Sequence, residues 1–227
     1  MAQLPILVLL AYALYEGFLH AFEADHVLAV SNIVSQRDRI VPAIKDGLFW
    51  GLGHTSTIFV IGIVMILFKV HISEGSFSWF EAAVGLMLII VAVVRFILFL
   101  KEKPLEVHIH KHPHTHSGAN EHLHLHVHGQ HLHKTSYGIG LVHGLAGSGA
   151  LVLLIMTQIE SVTASLLFLL LFGAGSMLGM ACVAGIFSVP FSRTLFFSRR
   201  LVRTLLVLLS SSLCFAYGVY VIYQNLL

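Results

Sequence analysis

Apolar positions along the chain come in long uninterrupted runs. They show neither the strict alternation of a half-buried strand nor the one-sided stripe of a soluble helix. Six runs reach the roughly 20 residues a helix needs to cross a bilayer: 5–33, 43–69, 79–100, 137–157, 162–188 and 202–224. This pattern predicts an all-α integral membrane protein with six transmembrane helices. The first and fifth runs are longer than a span requires, so tilting or breakage is expected. In the first, Gly17 and a polar cluster after it mark where.

The two halves carry a common pattern. "GFLHAFEADHVLAV" from Gly17 lies on "GLVHGLAGSGALVL" from Gly140, which sets His20 on His143. "GLGHTS" from Gly51 lies on "GAGSML" from Gly173. Three spans per half is an odd number, so the halves must run in opposite senses. The expected fold is two inverted three-helix repeats, with a site near the bilayer midplane. The expected domains are a first repeat over 1–100, a His-rich loop over 101–136 and a second repeat over 137–227.

Composition agrees with this picture. Of 227 residues, 57% are hydrophobic and 11% charged, too few charges to cover a soluble domain of this size. The net charge of +2 says less than where the charges lie. Basic residues gather in alternate loops: Arg37, Arg39 and Lys45, then Lys101, Lys103, Lys111 and Lys134, then Arg193, Arg199, Arg200 and Arg203. The remaining loops offer Lys69 with Glu74, Glu81 and Glu160. By the positive-inside rule the basic loops face the cytoplasm and both termini lie outside, in an inner or plasma membrane. Arg95, just inside the end of the third run, is expected to snorkel to the interface. Cys182 and Cys214 form no pair in sequence and read as packing residues. "MAQLPILVLLAYALYEGF" has no basic start and is not expected to be a cleaved signal.

Between the halves, 11 of the 16 histidines crowd into one segment: His108, His110, His112, His114, His116, His122, His124, His126, His128, His131 and His133. Proline, glycine and asparagine interrupt it, as in a flexible connector. In an extended chain alternate histidines share a side, a spacing suited to weak, multiple-site metal binding. The bland alternative is a polar linker with incidental affinity.

The unexpected chemistry lies in the first run. "FLHAFEADHVLAV" (18–30) places His20, Glu23, Asp25 and His26 in an otherwise apolar stretch, with Glu16 a turn earlier. One charged group at the bilayer centre costs about 2.5–3.5 kcal/mol on insertion scales. Four polar groups together therefore imply a metal site, a proton relay or a fully hydrogen-bonded structural cluster. On a regular helix Glu16, His20 and Glu23 share a face, while Asp25 lies about 140° from His20. An unbroken helix cannot aim all of them at one ion. Either the helix unwinds or some residues only orient the ligands. His54 in "GLGHTSTIF" and His143 in "GLVHGLAGSGA" are further intramembrane imidazoles, each with a structural hydrogen bond as its plain alternative. Imidazole plus carboxylate suits borderline divalent ions such as Ni²⁺, Co²⁺ and Zn²⁺.

"HAFEADH" resembles the signature of the nickel/cobalt transporter superfamily, typically His-Ala-x-Asp-Ala-Asp-His. "LGHTSTIF" resembles that family's next motif, and "GLVHGLAGSGA" resembles its six-span, urease-accessory-type or nickel-permease-like branch. Glu23 stands where the family usually has Asp, and Leu19 where an arginine commonly precedes the first histidine. The Asp- and Thr-rich later signatures of the eight-span permeases do not occur here. The resemblance implies transport of a divalent transition metal, nickel or cobalt first and zinc as a further candidate. His20, Asp25, His26 and His54 would be the metal residues. Glu23, Glu16 and His143 are candidates for ligands or supporting residues. The metal would be cargo, with no resident cofactor required.

Ligating imidazoles must be neutral, so affinity should fall as pH drops through about 6.5. No nucleotide-binding motif is visible, which leaves a secondary permease or dependence on a separate energising subunit. A cytoplasmic metallochaperone is a further expected partner and nucleic acid is not. The protein is not expected to be an enzyme. A di-metal hydroxylase would want several His-x-x-x-His pairs. An intramembrane serine protease at Ser148 would want a glycine at Ala146 and a histidine in the sixth run. A membrane-anchored metal sensor or metallochaperone fits the loop but leaves the buried cluster unexplained. Uptake against efflux, and the choice among Ni, Co, Zn, Mn and Fe, stay open.

Overall fold

A computed structural model describes residues 6–68, 74–101, 132–145, 159, 161–192 and 200–226. Every regular element among them is helical. These are α1 (Ile6–His20), α2 (Ala24–Val34), α3 (Ile40–Phe68), α4 (Glu74–Lys101), α5 (Leu132–His143), α6 (Val162–Ser188) with a short 3-10 turn at Val189–Phe191, and α7 (Arg200–Leu226). Four stretches are long and apolar enough to cross a membrane: Ile40–Ile66, Ser78–Lys101, Val162–Phe191 and Leu201–Leu226. A fifth is α1 plus α2, if that pair, bent by 55°, counts as one span. The fourth apolar run begins as α5 and turns at Gly144–Leu145. Most of its remainder, with Ser148, lies outside the described residues.

The bend falls at Ala21–Glu23. Neither glycine nor proline stands there, and Gly17 lies inside α1. The last turn of α1 closes through Phe22 N–H to the Leu19 carbonyl at 2.8 Å and Glu23 N–H to the His20 carbonyl at 3.1 Å. Glu23 is then extended, at φ −62° and ψ 151°, before α2 begins. The break thus sits in the polar cluster, where side chains rather than a helix-breaking residue redirect the chain.

Small residues set the helix pairings. A Cβ added to Gly17 of α1 would collide with the Phe172 carbonyl of α6. One added to Gly140 of α5 would collide with the Trp50 carbonyl of α3. Under the alignment of the two halves, Phe172 is the partner of Trp50, so the two contacts correspond. A second pair does the same: Gly53 abuts the Tyr137 carbonyl, and Gly175 abuts the Leu14 carbonyl. Gly85 and Gly218 face each other's carbonyls between α4 and α7. Such close approach lets helices pack where lipid offers little hydrophobic drive.

Polar ties secure the ends and the middle. Asn32 is fully buried; its side-chain NH₂ donates to the Ser210 carbonyl at 3.2 Å, and Ser211 donates to its Oδ1 at 2.9 Å, joining α2 to α7. Arg95 does not snorkel. It is buried at 1% exposure, donating from Nη2 to the Ser35 carbonyl at 3.2 Å and from Nε to Ser35 Oγ. Ser35 caps the C-terminus of α2. Carbonyls orphaned at a helix end attract a cation, which holds Arg95 inside. Arg37, read from sequence as a topology charge, forks onto the buried carboxylate of Asp46 in α3.

Candidate metal site

The break between α1 and α2 lets both of its flanks face inward. His20, the last residue of α1, and His26, in the first turn of α2, bring their rings to 4.4 Å between centroids. His54 arrives from the middle of α3, with centroids 5.1 Å from both His20 and His26. His143, at the end of α5, sets its ring 4.1 Å from that of His26, tilted by 47°. All four are buried: His26 and His54 at 0%, His143 at 1%, His20 at 5% exposure. Four residues spread over more than 120 positions thus meet in one pocket-sized volume.

The carboxylates fix the tautomers. A carboxylate only accepts, so the nitrogen facing it carries the hydrogen. His20 Nδ1–H donates to Glu23 Oε1 at 3.0 Å. His26 Nδ1–H and backbone N–H both donate to Asp25 Oδ1 at 2.9 Å. His143 Nε2–H donates to Asp25 Oδ2 at 2.8 Å. His20 Nε2 is therefore a lone pair, and His54 Nε2, 3.1 Å away, donates to it. What remains are three buried imidazole lone pairs without a partner: His26 Nε2, His54 Nδ1 and His143 Nδ1. Leaving a buried polar group unpaired costs about 1–3 kcal/mol. Three such nitrogens in one cluster are donors that a bound cation would satisfy.

Two sets of three residues have donor atoms within 4.8 Å of one another: His20, His26 and His54, and Asp25, His26 and His143. Of the seven intramembrane residues singled out from sequence, five thus lie in a donor set. Glu23 orients His20 while its own side chain is 46% exposed. Glu16 enters neither set. Among the loop histidines only His133 is described. It lies in the first turn of α5, stacks on Phe49 at 5.2 Å and donates from Nδ1 to Asp46 Oδ1 at 2.6 Å. The others, His108 to His131, lie outside the described residues.

Trp50 escaped the sequence reading. It is fully buried, with its ring 5.3 Å from both His26 and His143, and its Nε1 has no partner. An indole N–H cannot ligate a cation, so Trp50 walls the site. Its position one turn before His54 on α3 was the available signal.

Apolar helices long enough to cross a membrane enclose a buried imidazole–carboxylate cluster, which makes this a multi-pass membrane protein with a candidate metal site. Urease accessory protein UreH of Bacillus sp. (strain TB-90) is 35% identical to this chain over 192 residues, which is 85% of this chain and 81% of the relative. The chain belongs to the UreH family. No protein-family model and no solved structure matches it.

Proposed function

We propose that this protein is a permease for a divalent transition-metal ion, with Ni²⁺ first and Co²⁺ next. The observation that carries the reading is the convergence of His20, His26 and His54, all buried, with donor atoms within 4.8 Å. Nitrogen-rich sets of this kind suit Ni²⁺, Co²⁺ and Zn²⁺ and are poor for Mg²⁺ or Ca²⁺. The relative's name attaches it to urease, and the sequence motifs resemble those of nickel/cobalt transporters.

The cation is cargo. Its arrival displaces the proton between His54 and His20; His54 moves that proton to its unpartnered Nδ1, and its Nε2 becomes a ligand. Glu23 and Asp25 hold the far nitrogens of His20 and His26, which aims both rings and raises their basicity. His20, Asp25, His26 and His54 are the principal residues, with Glu23 and His143 supporting them.

The architecture we propose is six spans in two inverted three-helix repeats, with 137–157 as the fourth. The reciprocal glycine contacts support it, as do the helix directions. Gly140 near Trp50 and His54, and Gly144 near His54 and Thr57, run α5 parallel to α3. Gly47 near Met180 and Gly51 near Met177 run α6 antiparallel to α3. Alternating spans require both. Both termini lie outside and the His-rich loop in the cytoplasm, where it binds metal weakly at several points. The role is transport rather than catalysis, with a metallochaperone or energising subunit as candidate partner.

The test is flux in proteoliposomes with a panel of divalent ions, in both gradient directions. Exchanging both His20 and His26 for Ala should abolish Ni²⁺ and Co²⁺ flux. Undiminished flux in that variant would sink the reading and favour a loop-based metallochaperone.

A further inference from the structure

The donors of the cluster fall into two sets of three rather than one set of five. The set from α1, α2 and α3 (His20, His26, His54) and the set from α2 and α5 (Asp25, His26, His143) share one member, His26. Its Nδ1 lies on Asp25, and its Nε2 is buried without a partner. A neutral imidazole has one lone pair, so it serves one side at a time. Two dications a ring-width apart would also repel strongly in a low-dielectric interior.

We propose that the two sets are mutually exclusive stations for one travelling divalent cation, and that His26 hands it from one to the other. The proposal rests on the transport reading above. With the cation at the first station, His26 binds through Nε2, while its Nδ1–H and the His143 Nε2–H stay on Asp25. At the second station the cation replaces those two hydrogens. His26 shifts its proton from Nδ1 to Nε2, and His143 shifts its proton from Nε2 to Nδ1. Both receiving nitrogens are without a partner in the cluster. No proton is gained or lost in these shifts, and on leaving the first station His54 restores its hydrogen bond to His20. The handover moves the ion from donors of the first half of the chain to a donor of the second.

The experiment uses the full-length purified protein with Co²⁺ as probe, because its visible spectrum reports donor type. The spectrum and metal content of His26→Ala are subtracted, which cancels binding by the His-rich segment. The expected difference is one Co²⁺ per chain in the wild type. His143→Ala should keep one Co²⁺ with an all-nitrogen spectrum, and His54→Ala should keep one with a mixed nitrogen–oxygen spectrum. Both should lose at least tenfold in flux. His143→Gln keeps an N–H for Asp25 but offers no ligand nitrogen. It should behave as His143→Ala, and wild-type flux in it would reduce His143 to a hydrogen-bond partner and overturn the proposal. A difference of two Co²⁺ per chain would overturn it in favour of independent sites. Loss of all binding in His54→Ala would overturn it in favour of one site. If His26→Ala binds as much Co²⁺ as the wild type, the transport reading itself falls.

Discussion

Glu23 lies outside both donor sets but holds the Nδ1 of His20. It stands half in the open and keeps the His20 proton on Nδ1, so that Nε2 faces His54. Replacing it with Gln removes the charge but leaves an acceptor. Orienting partners of this kind are worth 10–100-fold in metal affinity. Glu23→Gln should therefore weaken Ni²⁺ binding by about tenfold, measured by titration calorimetry on the His-rich-segment background. Asp46 is a different case. Its buried carboxylate takes Arg37 and His133 and ties the α2–α3 connection to α3 and α5. Asp46→Asn strands a buried guanidinium, and breaking such a pair costs about 3–5 kcal/mol. The expected result is a clear fall in the unfolding temperature in detergent, partly recovered by adding Arg37→Met.

At the scale of elements the close glycine contacts decide which helices touch. Gly17→Leu forces a side chain into the Phe172 carbonyl, and Gly140→Leu into that of Trp50. Overpacking of this sort costs about 1–3 kcal/mol. Because the two contacts correspond, the two variants should lose stability to a similar degree. Gly138→Ala, with nothing within 4 Å of its added carbon, should be neutral. Thermal unfolding of the three variants side by side checks this. The apolar runs foretold α3, α4, α6 and α7 because burial in lipid demands long continuous apolar stretches. A break in the first run was one of two outcomes its geometry allowed, the other being an unbroken helix on which some residues only orient the ligands. The break falls at Ala21–Glu23, inside the polar cluster that marked it, while Gly17, the other residue that looked like a hinge, is used for packing.

For the molecule as a whole the proposed transport implies a pH dependence. Ligand imidazoles must be neutral, so protons compete with metal. Binding should therefore weaken as the pH falls, because a protonated imidazole has no lone pair to offer a cation. Initial rates of Ni²⁺ flux at pH 7.5 and 5.5, with equal pH on both sides, test the sign. Deleting 108–131, which spares the His133 contact with Asp46, should change apparent affinity or rate and leave residual transport. Unchanged flux would reduce that segment to a linker.

The sequence by itself determined the class of molecule, an all-helical multi-pass membrane protein, and which side-chain types stand out in its apolar runs. Lipid tolerates only long apolar helices, and two acids and two imidazoles within seven residues demand a partner at that depth. His20, Glu23, Asp25 and His26 stood out for this reason, and His54 as a further imidazole in an apolar run. Only the tertiary structure decided how they are used. A donor's role depends on which of its nitrogens faces a carboxylate 2.8–3.0 Å away, and on a histidine, His143, that arrives 118 residues later in the chain from Asp25. It also decided that Arg95 turns inward, because the helix end that attracts it belongs to a different element. Distance in space and direction of a hydrogen bond are set by packing, and no spacing along the chain encodes them.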